Sequence, residues 1–308
     1  MTSRACPPRS AFTLIELLVV ISIISLLIAL LLPALSSARQ TSIGHVCLAN
    51  LRTLGQGLTM YSTDHRDQLV PGRLPRVDNE NWRALVYGGW KYRPTFLTMM
   101  GTNVGIQPFD DPIATRYELD RFGQRGERQD YASKVYVCPA VSDWTDERNG
   151  SYGYNYQFLG NSRLSDPSDI SSFKNWPVSV TRIRDTSRTV AVADCMGTAA
   201  SFAPDQRWPY ENNAEDGRRY GNEGFNLDPP RIDRARGEAA KFPDRRSAAD
   251  PRHLGRIATL WVDTHADFQT TKSLGYQLND DGSFAWEGNN ALWSGSGRDV
   301  AWTPDYGL

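Results

Sequence analysis

The sequence predicts an α+β protein in which a long N-terminal helix, membrane-spanning in its first half, packs on an antiparallel β-sheet head. Three observations predict it. Residues 12–35 form an apolar run whose only strongly polar members are Thr13, Glu16, Ser22 and Ser25. Beyond it Ile43, Cys47, Leu51, Leu54, Leu58 and Tyr61 recur at spacings of three and four, one apolar stripe of a helix lying on a head. The remainder carries short strand-like runs such as "YVCPA", "TVAVAD" and "RIATLWVD" between turn-forming residues.

As a helix rising about 1.5 Å per residue, residues 12–35 reach roughly 36 Å, enough to cross a hydrocarbon core of about 30 Å. Arg4 and Arg9 precede the run and no acid does. That bias keeps the short N-terminal tail in the cytoplasm and the head outside it, although Arg39 on the far side weakens the asymmetry. A secretory signal would have a shorter apolar core and a small-residue cleavage site, and "PALSSA" at 33–38 is a mediocre one. A plain anchor fits the length but leaves Glu16 unexplained, because a charge inside a bilayer costs about 2.5–3.5 kcal/mol at the helix centre. Pro33 removes one backbone bond and is expected to kink or loosen the helix. A stalk helix over 36–66 follows, then a head over 67–308.

Residues 11–20, "AFTLIELLVV", closely resemble the processing site of type IV pilins and type II secretion pseudopilins. The resemblance implies a pilin-like fold and a cytoplasmic leader, residues 1–11, removed by a prepilin peptidase that cuts between Ala11 and Phe12. The same enzyme would N-methylate Phe12. The family normally has Gly where this chain has Ala11, which puts the rate of processing in question. A cut there makes Glu16 the fifth mature residue. Its carboxylate would then pair with the Phe12 amine of a neighbouring pilin-like subunit, since a medium of low dielectric penalises either charge left alone. The partners implied are the peptidase, other pilin-like subunits and membrane lipid, for a single-pass protein of the inner membrane with an extracytoplasmic head.

The stretch "CLANLRTLGQGL" at 47–58, the Cys138-Pro139 pair, and His253 followed after nine residues by Asp263 are together similar to a pilin-like family abundant in planctomycetes. That family's C-terminal motif has Gly after the Asp, where this chain has Thr264, which puts in question a tight turn needing positive φ. An extracytoplasmic head permits a disulfide, and Cys47 with Cys138 is the preferred pair, though sequence alone does not fix it. Cys195, after "TVAVAD", reads as a buried core thiol. Residues 178–194 read as two short strands around a turn at 185–187.

Residues 203–252 hold acids and bases in equal number with several Pro and Gly, and read as a long exposed excursion. With alternating signs there and a net charge of −1 overall, a nucleic-acid partner is rejected. Asp263, His265 and Asp267 would share one face of a strand and could bind a divalent cation. The plainer account is that His253 and Asp263 bond backbone groups and fix a hairpin turn. With no nucleophile elbow, Gly-rich phosphate loop or paired-Cys metal site, no catalytic residue and no cofactor is assigned, and the chain is read as a non-enzyme. The tail from 283 onward carries three Trp, which packing against the sheet explains more simply than glycan binding. Two functions follow: a structural pilin or pseudopilin subunit, or an anchored carbohydrate- or receptor-binding module that never polymerises.

Overall fold

The computed structural model describes residues 14–72, 83–87, 89–92, 94–111, 129–141, 147, 151–164, 173–207, 224–231 and 246–300. The chain divides into two compact units, Met1–Ser42 and Ile43–Leu308.

A single helix, α1 (Leu14–Asp64), supplies all the described structure of the first unit and opens the second. In the first unit its side chains from Leu14 to Gln40 are exposed, apolar ones included. The helix runs through Pro33 without ending, so the expected loosening does not extend to a break. Ser22 Oγ donates to the Leu18 carbonyl at 2.7 Å, which satisfies that mid-run hydroxyl within the helix itself. The stretch is long and apolar enough to cross a membrane.

In the second unit α1 buries Cys47, Leu48, Leu51, Leu54 and Leu58. These pack against α2 (Phe96–Asn103) and a four-stranded antiparallel sheet in the order β3 (Tyr152–Tyr154), β6 (Val190–Asp194), β7 (Ile257–Trp261), β8 (Ala266–Gln269). Three two-stranded ribbons accompany the sheet: β1 (Arg83–Val86) with β2 (Gly89–Tyr92), β4 (Gly160–Leu164) with β5 (Phe173–Pro177), and β9 (Tyr276–Leu278) with β10 (Phe284–Gly288). One-turn helix α3 (Tyr156–Leu159) follows β3. The fold is thus α+β, a helix packed on antiparallel sheet.

The central strands β6 and β7 are buried at every position, because both faces of the sheet are covered, and are apolar except at Asp194 and Thr259. On β7, Ala258 and Leu260 face the α1 side, whereas Ile257 and Trp261 join a second core with Leu227, Leu274 and Trp293. Trp293 is fully buried, its Nε1 donating to the Leu274 carbonyl at 2.9 Å, while Trp302 lies outside the described residues.

Two expectations are corrected here. The first strand foreseen in 178–194 is replaced by short 3-10 turns at Val180–Arg182 and Thr186–Arg188, and only Val190–Asp194 is a strand. Thr181 instead caps a bend: Asp67 Oδ2 accepts from its backbone N at 3.1 Å and its hydroxyl at 2.6 Å. These bonds, with one from Ser179, hold the Asp67 carboxyl below its usual range. The excursion at 203–252 is exposed at residues 204–206 and at Arg231, but it is not exposed throughout. Residues 224–230 and 246–249 are buried, and Arg246 donates to the Pro229 and Pro230 carbonyls at 2.7 and 3.1 Å. The charge count misled because Arg246 is satisfied by carbonyls inside the fold and lies over the Tyr276 ring.

Candidate functional site

Of the N-terminal residues, Ala11 and Phe12 lie outside the described residues. Glu16 stands in the first turn of α1, the favourable end of the helix dipole for a carboxylate, and is exposed. Around it Leu14, Ile15, Leu17 and Leu18 are 53–79% exposed. So large an unburied apolar surface calls for lipid or another apolar helix.

In the head, Cys47 of α1 and Cys138 are joined by a disulfide across 91 residues of sequence, with Cα atoms 5.4 Å apart. Cys47 falls on the buried stripe of α1, and Cys138 follows the 3-10 turn Lys134–Tyr136, its backbone N donating to Ser151 Oγ at 2.7 Å. The Asn50 amide ties α1 to the same turn through the Lys134 and Val137 carbonyls, and Arg52 donates to the Ala266 carbonyl at 2.7 Å. Both residues fall off the apolar stripe. They serve as polar fasteners of the helix to the head.

His253 comes to this disulfide from the loop before β7. Its Nε2 lies 3.4 Å from Cys138 Sγ and 3.2 Å from Asp194 Oδ2, and His253 and Asp194 are both buried. Asp194 ends β6, and its Oδ2 also accepts from the Ala258 backbone N at 2.7 Å. Gly44 makes room for the imidazole: a Cβ there would stand 3.4 Å from the His253 ring and 2.9 Å from Phe268. Sequence reasoning missed Asp194. Its signal was a carboxylate closing the apolar run "TVAVAD", a strand with no exposed face on which to put it.

His253 and Asp263 therefore find different partners. Asp263 is in the turn between β7 and β8, where its Oδ1 accepts from the His265 backbone N at 3.2 Å and lies 2.6 Å from His265 Nδ1. Asp267 sits on β8 and accepts from Trp261 Nε1 at 2.8 Å. The one-face arrangement expected of Asp263, His265 and Asp267 does not form, because β7 ends at Trp261 and the chain reverses between the two carboxylates. The His265 ring stacks on Trp261 instead. Thr264, in that turn, has φ +76°, so the backbone adopts the left-handed conformation although no glycine is present. Cys195 is buried and its thiol is pushed up to about 12 by burial, an inert core group.

No curated protein and no solved structure is significantly similar to this chain. Residues 7–32 match the family model of the prokaryotic N-terminal methylation motif. The match spans the Ala11–Phe12 bond, Glu16 and the apolar first half of α1, and it gives the chain the N-terminal signature of a type IV pilin-like precursor.

Proposed function

We propose that the chain is a structural pilin- or pseudopilin-like subunit, cut between Ala11 and Phe12 by a prepilin peptidase and N-methylated at Phe12. The observation that carries this reading is the methylation motif laid over the start of a helix whose apolar side chains from Leu14 to Leu35 are all exposed. Lipid covers that surface before assembly, and the equivalent helices of neighbouring subunits cover it afterwards. Glu16 supplies the carboxylate that meets the Phe12 amine of the next subunit, and the pair fixes the axial stagger. The head is extracytoplasmic, a compartment in which the Cys47–Cys138 bond persists. Its work is structural, with no reaction, and its partners are the peptidase, like subunits and lipid.

An anchored binding module was favoured by the Trp-rich tail and the charged excursion. Trp293 and residues 224–230 are buried, which weighs toward the structural reading.

The test is mass spectrometry of the N-terminus of protein taken from native membranes. A mature chain beginning at methylated Phe12 is expected. An intact Met1, or a cut after Ala38, would sink the proposal.

A further inference from the structure

We propose that the reduced chain binds one zinc ion between Cys47, Cys138, Asp194 and His253, so that the same junction is closed by a disulfide when oxidised and by a metal when reduced. The four residues each offer one ligand atom, and those atoms all lie within 4.8 Å of one another. Tetrahedral zinc, with bonds of about 2.0–2.1 Å to N and O and about 2.3 Å to S, sets nitrogen and oxygen ligands roughly 3.3 Å apart and sulfur and nitrogen roughly 3.6 Å apart. Here His253 Nε2 stands 3.2 Å from Asp194 Oδ2 and 3.4 Å from Cys138 Sγ. Two edges of the tetrahedron are already present. Opening the sulfur–sulfur bond gives the third.

A second observation points the same way. Asp194 Oδ1 is buried without a hydrogen-bond partner among the described residues. His253 and the Ala258 amide both engage Oδ2 and leave Oδ1 uncompensated, a costly arrangement for a buried charged group. A cation in the cradle removes that deficit.

The ligand set is two thiolates, a neutral imidazole and a carboxylate, which suits zinc rather than calcium or magnesium. The filled site would carry one negative charge, and the Arg252 guanidinium, whose charge acts on Asp194, offsets it. The ligands come from α1, the segment after the Lys134–Tyr136 turn, the end of β6 and the loop before β7, so the ion would tie to the sheet the helix and segment that the disulfide joins to each other. All four are buried, which leaves no open position for a reacting water. The site is structural.

The chemistry balances with named reagents. A water-soluble phosphine takes the oxygen of one water molecule, becomes the phosphine oxide and leaves two thiols. Zinc then displaces the two thiol protons. In reverse, the two thiolates give two electrons to glutathione disulfide, which takes up two protons as two molecules of glutathione. The protein disulfide re-forms and the zinc ion leaves.

The full-length chain in detergent micelles is reduced with the phosphine, exposed to zinc chloride, freed of loose metal by gel filtration and analysed for metal. About one zinc per reduced chain is expected, and less than about a tenth of that for the oxidised chain. Glutathione disulfide should release the zinc with loss of two titratable thiols. Cobalt in place of zinc should give a thiolate charge-transfer band and the strong visible bands of a four-coordinate ion, a readout that needs no substitution. Asp194→Asn, which keeps an acceptor for the Ala258 amide, should weaken zinc binding by at least about tenfold. A reduced chain that takes up no zinc overturns the proposal, whether it stays folded or unfolds. So does zinc bound equally by the oxidised chain, or a cobalt spectrum without the thiolate band.

Discussion

Thr264 sits where the backbone needs a left-handed residue, and it is β-branched, the side-chain class least suited to φ +76°. The turn forms anyway because its neighbours hold it: Trp261 N donates to the His265 carbonyl and Thr264 N to the Trp261 carbonyl, both at 3.0 Å, while Asp263 Oδ1 accepts the His265 amide. A left-handed conformation costs a residue with a Cβ about 1–2 kcal/mol, against the roughly 0.5–1 kcal/mol that glycine loses in chain entropy on folding. Thr264→Gly is therefore expected to raise stability by about 0.5–1 kcal/mol. The midpoint of urea unfolding, followed by tryptophan fluorescence, measures it. A lower midpoint would show that the Thr264 side chain contributes more through packing than its backbone costs.

At the scale of the element, α1 owes its docking as much to absent side chains as to apolar ones. Gly57 lies against the Met100 carbonyl of α2, and a Cβ there would overlap that backbone oxygen. Gly55 approaches Leu260 and Thr264 in the same way, and Gly44 clears the space for His253 and Phe268. Helix propensity alone makes Ala better than Gly by about 0.8–1.0 kcal/mol. Gly57→Ala should nevertheless destabilise the chain by about 1–3 kcal/mol, because backbone cannot rotate away as a side chain can. Thermal unfolding by circular dichroism reads the sign directly, and a stabilised variant would mean that α2 is free to shift.

For the whole molecule, the chief consequence of the sequence is an exposed apolar helix surface over residues 14–35. Lipid supplies the cover for a monomer. In an assembly, neighbouring helices replace lipid, and dispersion and paired charge replace a hydrophobic driving force that lipid does not provide. Glu16→Ala should leave membrane insertion and head folding unchanged and abolish incorporation into filaments. Chemical cross-linking of native membranes, followed by separation of oligomer from monomer, reads that loss. Undiminished oligomers would detach assembly from the Glu16–Phe12 pair.

The membrane-length run, the out-of-place Glu16, the apolar stripe of α1 and the strands "TVAVA" and "IATLW" were legible in the sequence because each is a local pattern set by one period or one solvent. The residues that meet at the disulfide were only partly legible. Cys47 and Cys138 stood out as cysteines, but nothing local said that His253 would turn away from Asp263 toward Asp194, 59 residues earlier in the chain. That choice was made by the register of β6 on β7, which carries the Asp194 carboxylate to the Ala258 amide. Likewise, what Gly44, Gly55 and Gly57 make room for is visible only once the sheet and α2 come within reach of them. The sequence by itself determined which segments are apolar, helical or extended, since those follow from short-range periodicity and transfer to lipid or core. Only the tertiary structure decided which polar groups are buried together, because a buried charge or a close backbone approach is specified by partners that folding alone brings near.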